Sequence, residues 1–575
     1  MIFNFDTSDL LGRVRAVDTR KVSILVNSEE DIRKAHVGHF VALKLAGAAE
    51  VWLIGIINRV MKSVAYQDSS EDETTESDEI NIEQETVVNN VNVTMVGTVS
   101  WDACRQNYSF SRSLARVPEI DAQCHVLQNK QLENFMNILK EAGRTEHSLQ
   151  IGKYSIDESA TAFIDGNKLF QRHAALLGST GSGKSWTVAA ILERAAKLAS
   201  ANIVVFDLHG EYRNLSYARH LRIPGPDDLG KTEDELLYLP FWLMNAEEMQ
   251  AMFIDRTEFS AHNQVMAFQD AVVEQKKATL TKLKKDEVLS SFTLDSPIPF
   301  SIHEVIRKLA DLNEEMEQGA RGLKQGKFYG QFSRLLVRMK SKLSDKRYGF
   351  LLQAPETEQQ YSSMAKIAEK LMDYYSETAQ IKVIDFSEVP ADILPVIVGL
   401  VARTVYQVQF WTNHDARHPL AFVCDEAHLY LPKKDGQNPV ERRAIEAFEK
   451  IAKEGRKYGV ALMIVSQRPS DVSPTVLSQC NNVIALRLSN ADDQSTVKKL
   501  MPESLESLLD VLPIMDIGEA LVVGDSVLLP SRIRIMEPNE KPLSATIDFW
   551  TEWQKDVKEP DFEMAIENMR RQRRN

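Results

Sequence analysis

The sequence predicts an α/β protein: a core built on a parallel-dominated sheet, preceded by a small β-barrel and interrupted by a mostly helical insertion. Three observations predict it. From residue 170 onward, compact apolar runs alternate with helical patterns, as βαβ units require. One such run, "HAALLG", leads into the glycine-rich stretch "STGSGKS" and then into a helical pattern. Before residue 110 the texture differs, with short β-branched runs separated by turn residues.

The elements follow in order. "GRVRAVDTRKVSILVN", "HFVALKLA", "EVWLIGIINRV" and "NVTMVGTVSW" read as short strands, with alternation visible in "VRAVDTRKVSILV". Residues 1–110 are therefore expected to form a small barrel. Between its strands, "QDSSEDETTESDEINIEQE" (67–85) has almost no apolar residue and reads as a disordered acidic loop. Residues 111–165 are expected to link the domains and to hold a helix near 128–143. "NIVVFD", "IKVIDF", "LAFVCDE", "VALMIVSQ" and "NVIALRL" are continuous apolar runs suited to strands covered on both faces, in a core spanning 166–540. Within that core, 245–375 is rich in Glu, Lys, Met and Gln and reads as a helical insertion. Residues 541–575 are expected to be a helical tail with a basic end.

Bulk properties narrow the class. A chain of 575 residues exceeds one core, so two or more domains are expected. No apolar run approaches the roughly 18 residues of a membrane span; the best, Ile393 to Val401, is short and holds Pro395. The first residues lack the pattern of a signal peptide. The cysteines at 104, 124, 424 and 480 form no CxxC pair, so a cytoplasmic protein without a metal cluster is the expectation. The net charge of -14 argues against an open basic surface for nucleic acid. Much of that charge sits in the acidic run, which leaves a basic channel inside an assembly permitted.

The chemistry-bearing residues come next. Gly178-Ser179-Thr180-Gly181-Ser182-Gly183-Lys184-Ser185 matches GxxxxGK[ST] in full. Its glycines let backbone N–H groups turn toward phosphate oxygens, and the helix that follows adds the positive end of its dipole. Lys184 is expected on the β- and γ-phosphates, Ser185 on Mg2+, and Trp186 beside the nucleotide. "LAFVCDEAHLY" brings Asp425 and Glu426 to the end of a strand, where open sheets hold their ligands. Asp425 fits a carboxylate holding Mg2+ through water, and Glu426 a base acting on the attacking water. The plainer alternative is two acids at a helix N-terminus. Gln467, after the strand 460–465, fits a sensor of the γ-phosphate. Arg456, just before that strand, reads equally as a surface arginine or as one that stabilises charge in a neighbour's site. Arg172 admits the same two readings. Asp207, His209 and Glu211 in "VVFDLHGEY" suggest a further site at a strand end, though His209 is equally an ordinary loop residue, and no metal-ligand spacing accompanies them.

Taken in order, "LFQRHAALLGSTGSGKS", "FDLHGEY", "CDEAHLY" and "EGRKYGVALMIVSQRPSDVSPTVLSQCNNVIALRL" resemble the HerA group of the HerA/FtsK ATPases, over roughly 165–535, with a fainter likeness over 10–110. The resemblance implies a RecA/FtsK-like core behind a HAS-barrel-like domain. It further implies a homohexameric ring that hydrolyses ATP with Mg2+ at subunit boundaries and moves double-stranded DNA through its centre. By position it assigns Lys184 and Ser185 to phosphate and metal, Asp425 and Glu426 to the Walker B pair, and Gln467 to the sensor. Arg456 and Arg172 then complete the site, at least one from the next subunit, and the segment 531–535 with Ile533 and Arg534 reaches the nucleotide. Members of the group work with a nuclease, or with a sirtuin-like NAD-hydrolysing protein in anti-phage defence, docked on the barrel side. The acidic run and the insertion depart from the group's pattern.

A DNA-translocating ATPase is thus the leading expectation. A scaffold ring that assembles a partner enzyme is the alternative, and a secretion ATPase fits less well without a membrane span. The basic stretches 275–285 and 334–347 are candidates for a pore lining, or are simply solvated helix faces.

Overall fold

The computed structural model describes residues 2–45, 50–66, 85–104, 106–114, 116–143, 145–319, 322–375, 380–433, 439–544, 547–555 and 562–571. The chain divides into two compact units. The first takes in 1–169, 174–191 and 481–537; the second takes in 170–173, 192–480 and 538–575.

In the first unit, seven N-terminal strands make one sheet. They are β1 (Leu10–Asp18), β2 (Lys21–Val26), β3 (Phe40–Lys44), β4 (Val51–Tyr66), β5 (Glu85–Asp102), β6 (Asn107–Ser111) and β7 (Gln123–Val126). The order β2-β1-β7-β3-β4-β5, with β2 also paired to β5, closes six antiparallel strands into a barrel, and β6 adds to β5. Alternation drives the closure. Val22, Ile24 and Val26 of β2 are buried with Val14, Val41, Leu43, Leu53, Val91 and Val93, while the residues between them face outward. β4 and β5 stay paired as far as Tyr66 and Glu85. The acidic run 67–85 lies outside the described residues except for Glu85.

The linker expected over 111–165 needs correction. Its helix is present at Asn129–Gly143, but β7 belongs to the barrel, and β8 (Ser148–Tyr154) and β9 (Asp157–Asp165) are strands of a second sheet. That sheet continues with β10 (Ala174–Leu177), β18 (Asn482–Ala485), β19 (Glu519–Gly524) and β20 (Ser531–Ile535) in the order β10-β18-β19-β20-β8-β9. β10 and β18 are parallel and the remaining pairs antiparallel.

The second unit holds β11 (Ile203–Asp207), β12 (Arg219–Arg222), β15 (Ile381–Asp385), β16 (Leu420–Cys424) and β17 (Val460–Ser466). They are parallel throughout, in the order β12-β15-β11-β16-β17. β11, β16 and β17 are buried at every residue, which is why their sequences run apolar without alternation. The insertion is mostly helical, as its composition implies. Helix Ile302–Glu314 buries Ile302, Val305, Ile306 and Leu309, the spacing of one helix face. One hairpin, β13 (Met316–Gly319) and β14 (Gly322–Gln325), interrupts the helices. The tail carries two helices, Phe549–Trp553 and Phe562–Arg571; its last four residues, 572–575, lie outside the described residues.

Candidate active site

Residues 178–185 belong to the first unit. β10 is fully buried beside β18 and delivers the chain to Gly178. A Cβ there would stand 2.5 Å from Ser182 Oγ and 2.8 Å from Leu486 Cβ, so the loop folds back only on glycine. Gly181 and Gly183 have φ of 71° and 103°, the left-handed conformations from which a nest of N–H groups is built. Ser179 anchors the loop by donating both its N–H and its hydroxyl to Arg487 O, each at 2.9 Å. Ser182 Oγ donates to Ser179 O at 2.7 Å. Lys184 Nζ donates to the same carbonyl at 3.3 Å, so its ammonium lies folded over the loop, where phosphate oxygens would be stronger acceptors. Helix Lys184–Ala195 begins there, and Thr187 Oγ1 donates back to Gly183 O at 2.9 Å. Ser185 and Trp186 are half-buried in its first turn, and Thr180 is exposed.

A segment the sequence did not single out closes on this loop. Gly518 N–H donates to Ser182 O at 3.0 Å, and Ile535 N–H donates to Gly518 O at 2.8 Å. The 531–535 strand therefore reaches the loop through its neighbour, not through the two side chains expected to do so. Ile533 is 1% exposed and packs inside the sheet, paired to both β19 and β8. Arg534 is held by Asp516, at 3.1 Å, and faces Glu158 at 3.9 Å.

In the second unit, the parallel strands bring polar residues to one edge. β11 ends at Asp207, β16 is followed by Asp425 and Glu426, and β17 ends at Ser466 before Gln467. Asp425 is 5% exposed. Its Oδ2 accepts from Tyr212 OH at 3.1 Å, its Oδ1 from Glu426 N–H at 2.9 Å, and its carbonyl from Tyr430 OH at 2.9 Å. Burial, then the like charges of Glu426, Glu211 and Asp207, push its carboxyl up to about 8. Glu426 adopts φ 45°, ψ 43°, a left-handed conformation that costs a non-glycine residue roughly 1–2 kcal/mol. A strained residue at the end of a buried strand is where function is expected.

Asp207 takes a different part from the one its sequence suggested. Its carboxylate accepts the backbone N–H groups of His209, Gly210, Glu211 and Tyr212 at 2.8 to 3.2 Å, and so shapes the loop that carries Tyr212 to Asp425. Burial, with the like charge of Asp385, leaves it above the usual carboxylate range, and the N–H groups of Tyr212, Glu211 and His209 offset part of that. His209 is exposed. Glu211 Oε2 is buried and accepts no hydrogen bond.

Mg2+ fits this chemistry. Buried carboxylates raise one another's proton affinity, and Glu211 offers an oxygen without a partner, a combination that a hydrated divalent cation relieves. Among the described residues no three ligating side chains form a metal cage.

The arginines stand elsewhere. Arg456 is exposed in the 3-10 turn Gly455–Tyr458 that precedes β17. Arg172 is half-buried and precedes His173, whose Nε2 contacts Ala452 O at 3.1 Å and whose Nδ1 accepts Leu462 N–H at 3.0 Å. Both therefore lie by the start of β17, opposite the edge that carries Glu426 and Gln467. In the two basic stretches Lys276 is fully buried on Leu294 O and Ser296 O and Arg338 pairs with Glu258 and Asp255, while most of the remaining lysines and arginines are exposed. Among the described residues no helix is long and apolar enough to cross a membrane.

Comparison with known proteins agrees with the geometry. The model described as "Helicase HerA, central domain" matches residues 149–405, and "Helicase HerA-like C-terminal" matches 411–529. The DNA double-strand break repair helicase HerA of Saccharolobus solfataricus is 25% identical over 391 residues, which are 67% of this chain and 68% of that protein. The protein of the same name from Pyrococcus furiosus is 26% identical over 422 residues, 67% and 69% of the two chains. Among solved structures, VirB4 of Thermoanaerobacter pseudethanolicus aligns with TM-score 0.43 and 17% identity, covering 68% of this chain and 97% of that one. The conjugative coupling protein TrwB aligns with TM-score 0.44 and 13% identity, covering 72% and 93%. The two matched regions take in well over half of the sequence, and the chain belongs to the HerA family of P-loop ATPases.

Proposed function

We propose that this chain is an ATP-driven motor that moves along double-stranded DNA as a homohexameric ring, with each ATP served by two copies. Gly178 to Ser185 cradle the triphosphate, and Lys184 spreads over its outer oxygens. Ser185 and, through water, Asp425 would hold Mg2+, which draws charge from the phosphate oxygens when bound. Glu426 takes the proton of the attacking water, and Gln467 reads the γ-phosphate. Arg456, with Arg172, acts on the ATP of the adjacent copy. Trp186 lies against the nucleotide. The barrel is the surface for an effector, a nuclease or an NAD-hydrolysing protein.

What supports sharing between copies is the position of Arg456. β17 has seven residues, so its two ends lie about 20 Å apart at roughly 3.3 Å per residue. Arg456 precedes one end, and Ser466 and Gln467 stand at the other, beside Glu426. No arginine side chain crosses that span, so within one copy Arg456 serves nothing at the catalytic edge.

The test mixes two inactive variants. Lys184→Ala lacks the phosphate lysine and keeps Arg456, while Arg456→Ala has the reverse defect. On the shared-site reading, each alone hydrolyses little ATP in the presence of duplex DNA, and their mixture recovers a measurable fraction of wild-type turnover. A mixture no better than the sum of its parts, or Arg456→Ala turning over at the wild-type rate, refutes the reading.

A further inference from the structure

One side chain beside the water-activating residue has no role so far. His428 follows Glu426 by two residues in the 3-10 turn Ala427–Leu429, where Leu429 N–H donates to Glu426 O at 2.9 Å. Its Nδ1 stands 3.2 Å from Glu426 Oε2, and the two side chains are only 10% and 13% exposed. The same nitrogen lies 3.4 Å from Ser466 Oγ, on the neighbouring strand. β16 and β17 are in parallel register with Cys424 opposite Ile464, so Glu426 and Ser466 are opposite one another where the strands end. Ser466 is fully buried and directly precedes Gln467; its Oγ also accepts Arg468 N–H at 3.0 Å.

The chains leaving these strands are tied further along. Ser473 N–H donates to Leu431 O at 2.8 Å and Lys433 N–H to Asp471 O at 2.9 Å. The segments after Glu426 and after Gln467 are thus fastened by backbone at their far end, and at the near end the imidazole is hydrogen-bonded with Ser466 and stands at ion-pair distance from Glu426.

We propose that His428 is a positioning residue: it holds the carboxylate of Glu426 in register with Ser466, so that the end of β17, which carries Gln467, sets where the water-activating oxygen stands. The proposal rests on the reading of Glu426 as the base. Its physical content is one ring nitrogen beside two oxygens. Nδ1 is hydrogen-bonded with Ser466 Oγ at 3.4 Å and stands 3.2 Å from Glu426 Oε2, an ion-pair distance. In the tautomer that carries the hydrogen on Nδ1, that hydrogen can pass between the hydroxyl and the carboxylate as Glu426 turns to and from the water, so no buried donor is stranded and the movement has a low cost. Asparagine places an amide nitrogen where Nδ1 stands and keeps the donor; alanine removes it.

The experiment measures kcat and KM for Mg-ATP in the full-length protein, with duplex DNA present, for His428→Ala, His428→Asn, Ser466→Ala and the double variant His428→Ala/Ser466→Ala. Binding of a fluorescent ATP analogue establishes that each variant is folded. The expected result is a loss in kcat of about tenfold for His428→Ala with KM within twofold of wild type, and recovery to within about threefold for His428→Asn. The double variant should be no slower than His428→Ala, because both changes cut one connection. Turnover of His428→Ala within twofold of wild type overturns the proposal. So does His428→Asn as slow as His428→Ala, or losses that multiply in the double variant. Should His428→Ala fail to bind the analogue, His428→Asn and Ser466→Ala decide: a kcat loss in Ser466→Ala, with His428→Asn near wild type, supports the link, and wild-type turnover in Ser466→Ala removes it. Glu426→Gln separates the two claims, since a Glu426→Gln protein that still turns over rapidly disproves the base and leaves the geometry of the clamp untouched.

Discussion

Replacing Asp425 with asparagine removes a charge and keeps the shape, and it should make the metal-free protein more stable above neutral pH while stopping turnover. The carboxyl is raised from 3.8 to about 8, first by burial and then by Glu426, Glu211 and Asp207. Between those two values the folded chain keeps a proton that the unfolded chain has released. Stability therefore falls as pH rises through that window, by up to about 1.4 kcal/mol per pH unit. From pH 6 to pH 8 the loss reaches roughly 2 to 3 kcal/mol. Asparagine does not titrate, and its amide still meets the Tyr212 hydroxyl and the Glu426 N–H. The assay is calorimetry on both proteins in EDTA without nucleotide, at pH 6 and pH 8. The midpoint of Asp425→Asn should move up relative to wild type between the two conditions, by a few degrees (~2–4 °C per kcal/mol for a mid-sized domain). A gap that stays constant with pH, or an asparagine variant less stable than wild type at pH 8, refutes the reasoning.

Other outcomes follow from the same geometry. Tyr212→Phe removes the hydroxyl that donates to Asp425 at 3.1 Å and keeps the packing, so kcat should fall about three- to tenfold with little change in KM, as steady-state kinetics would show. Gly181→Ala and Gly183→Ala both place a side chain at positive φ. The first meets nothing within 4 Å and should cost about 1 kcal/mol; the second stands 3.3 Å from Gly518 and should cost about 1–3 kcal/mol, with the greater loss of analogue binding in titrations. Lys382 is fully buried against Asn202 Oδ1 and Asp373 O, and burial lowers its ammonium to about 7. Below pH 7 both folded and unfolded chains carry that charge and its burial cost is present in full. From pH 7 to about 10.4 only the unfolded chain stays protonated, so this group's contribution to stability rises with pH, and denaturation of Lys382→Met across that range should lack the rise.

The strands of the core were legible because burial on both faces leaves an unmistakable trace. β11, β15, β16, β17 and β18 each fall within the apolar run expected to form them. The phosphate loop was legible for another reason: its glycines and lysine act through backbone geometry and one charge, both local in sequence. The barrel was visible as alternation, whereas its closure through the β2–β5 pairing was not, because register between strands some 70 residues apart leaves no local mark. For the same reason β8 and β9 were taken as linker. β9 pairs with β8, and the strand that ties β8 into the sheet, β20, lies about 380 residues further along the chain.

Side-chain roles divided in the same way. The residue types at 425 and 426 announced themselves beside an apolar strand, yet Asp207, of the same type in a similar position, spends its carboxylate on four backbone N–H groups. Only the path of the loop after β11 separates the two. Ile533 was expected at the nucleotide and is instead buried in its sheet, since a strand's facing depends on its pairing partners. The sequence by itself supplied the groups proposed to hold a triphosphate and to activate water, because those properties belong to single residues and short spacings. Tertiary structure decided that His428 meets both Glu426 and Ser466, that Tyr212 meets Asp425, and that Arg456 lies a strand's length from the catalytic edge. Those relations depend on which strands lie side by side and in which direction they run, and it is long-range pairing, absent from any local pattern, that sets them.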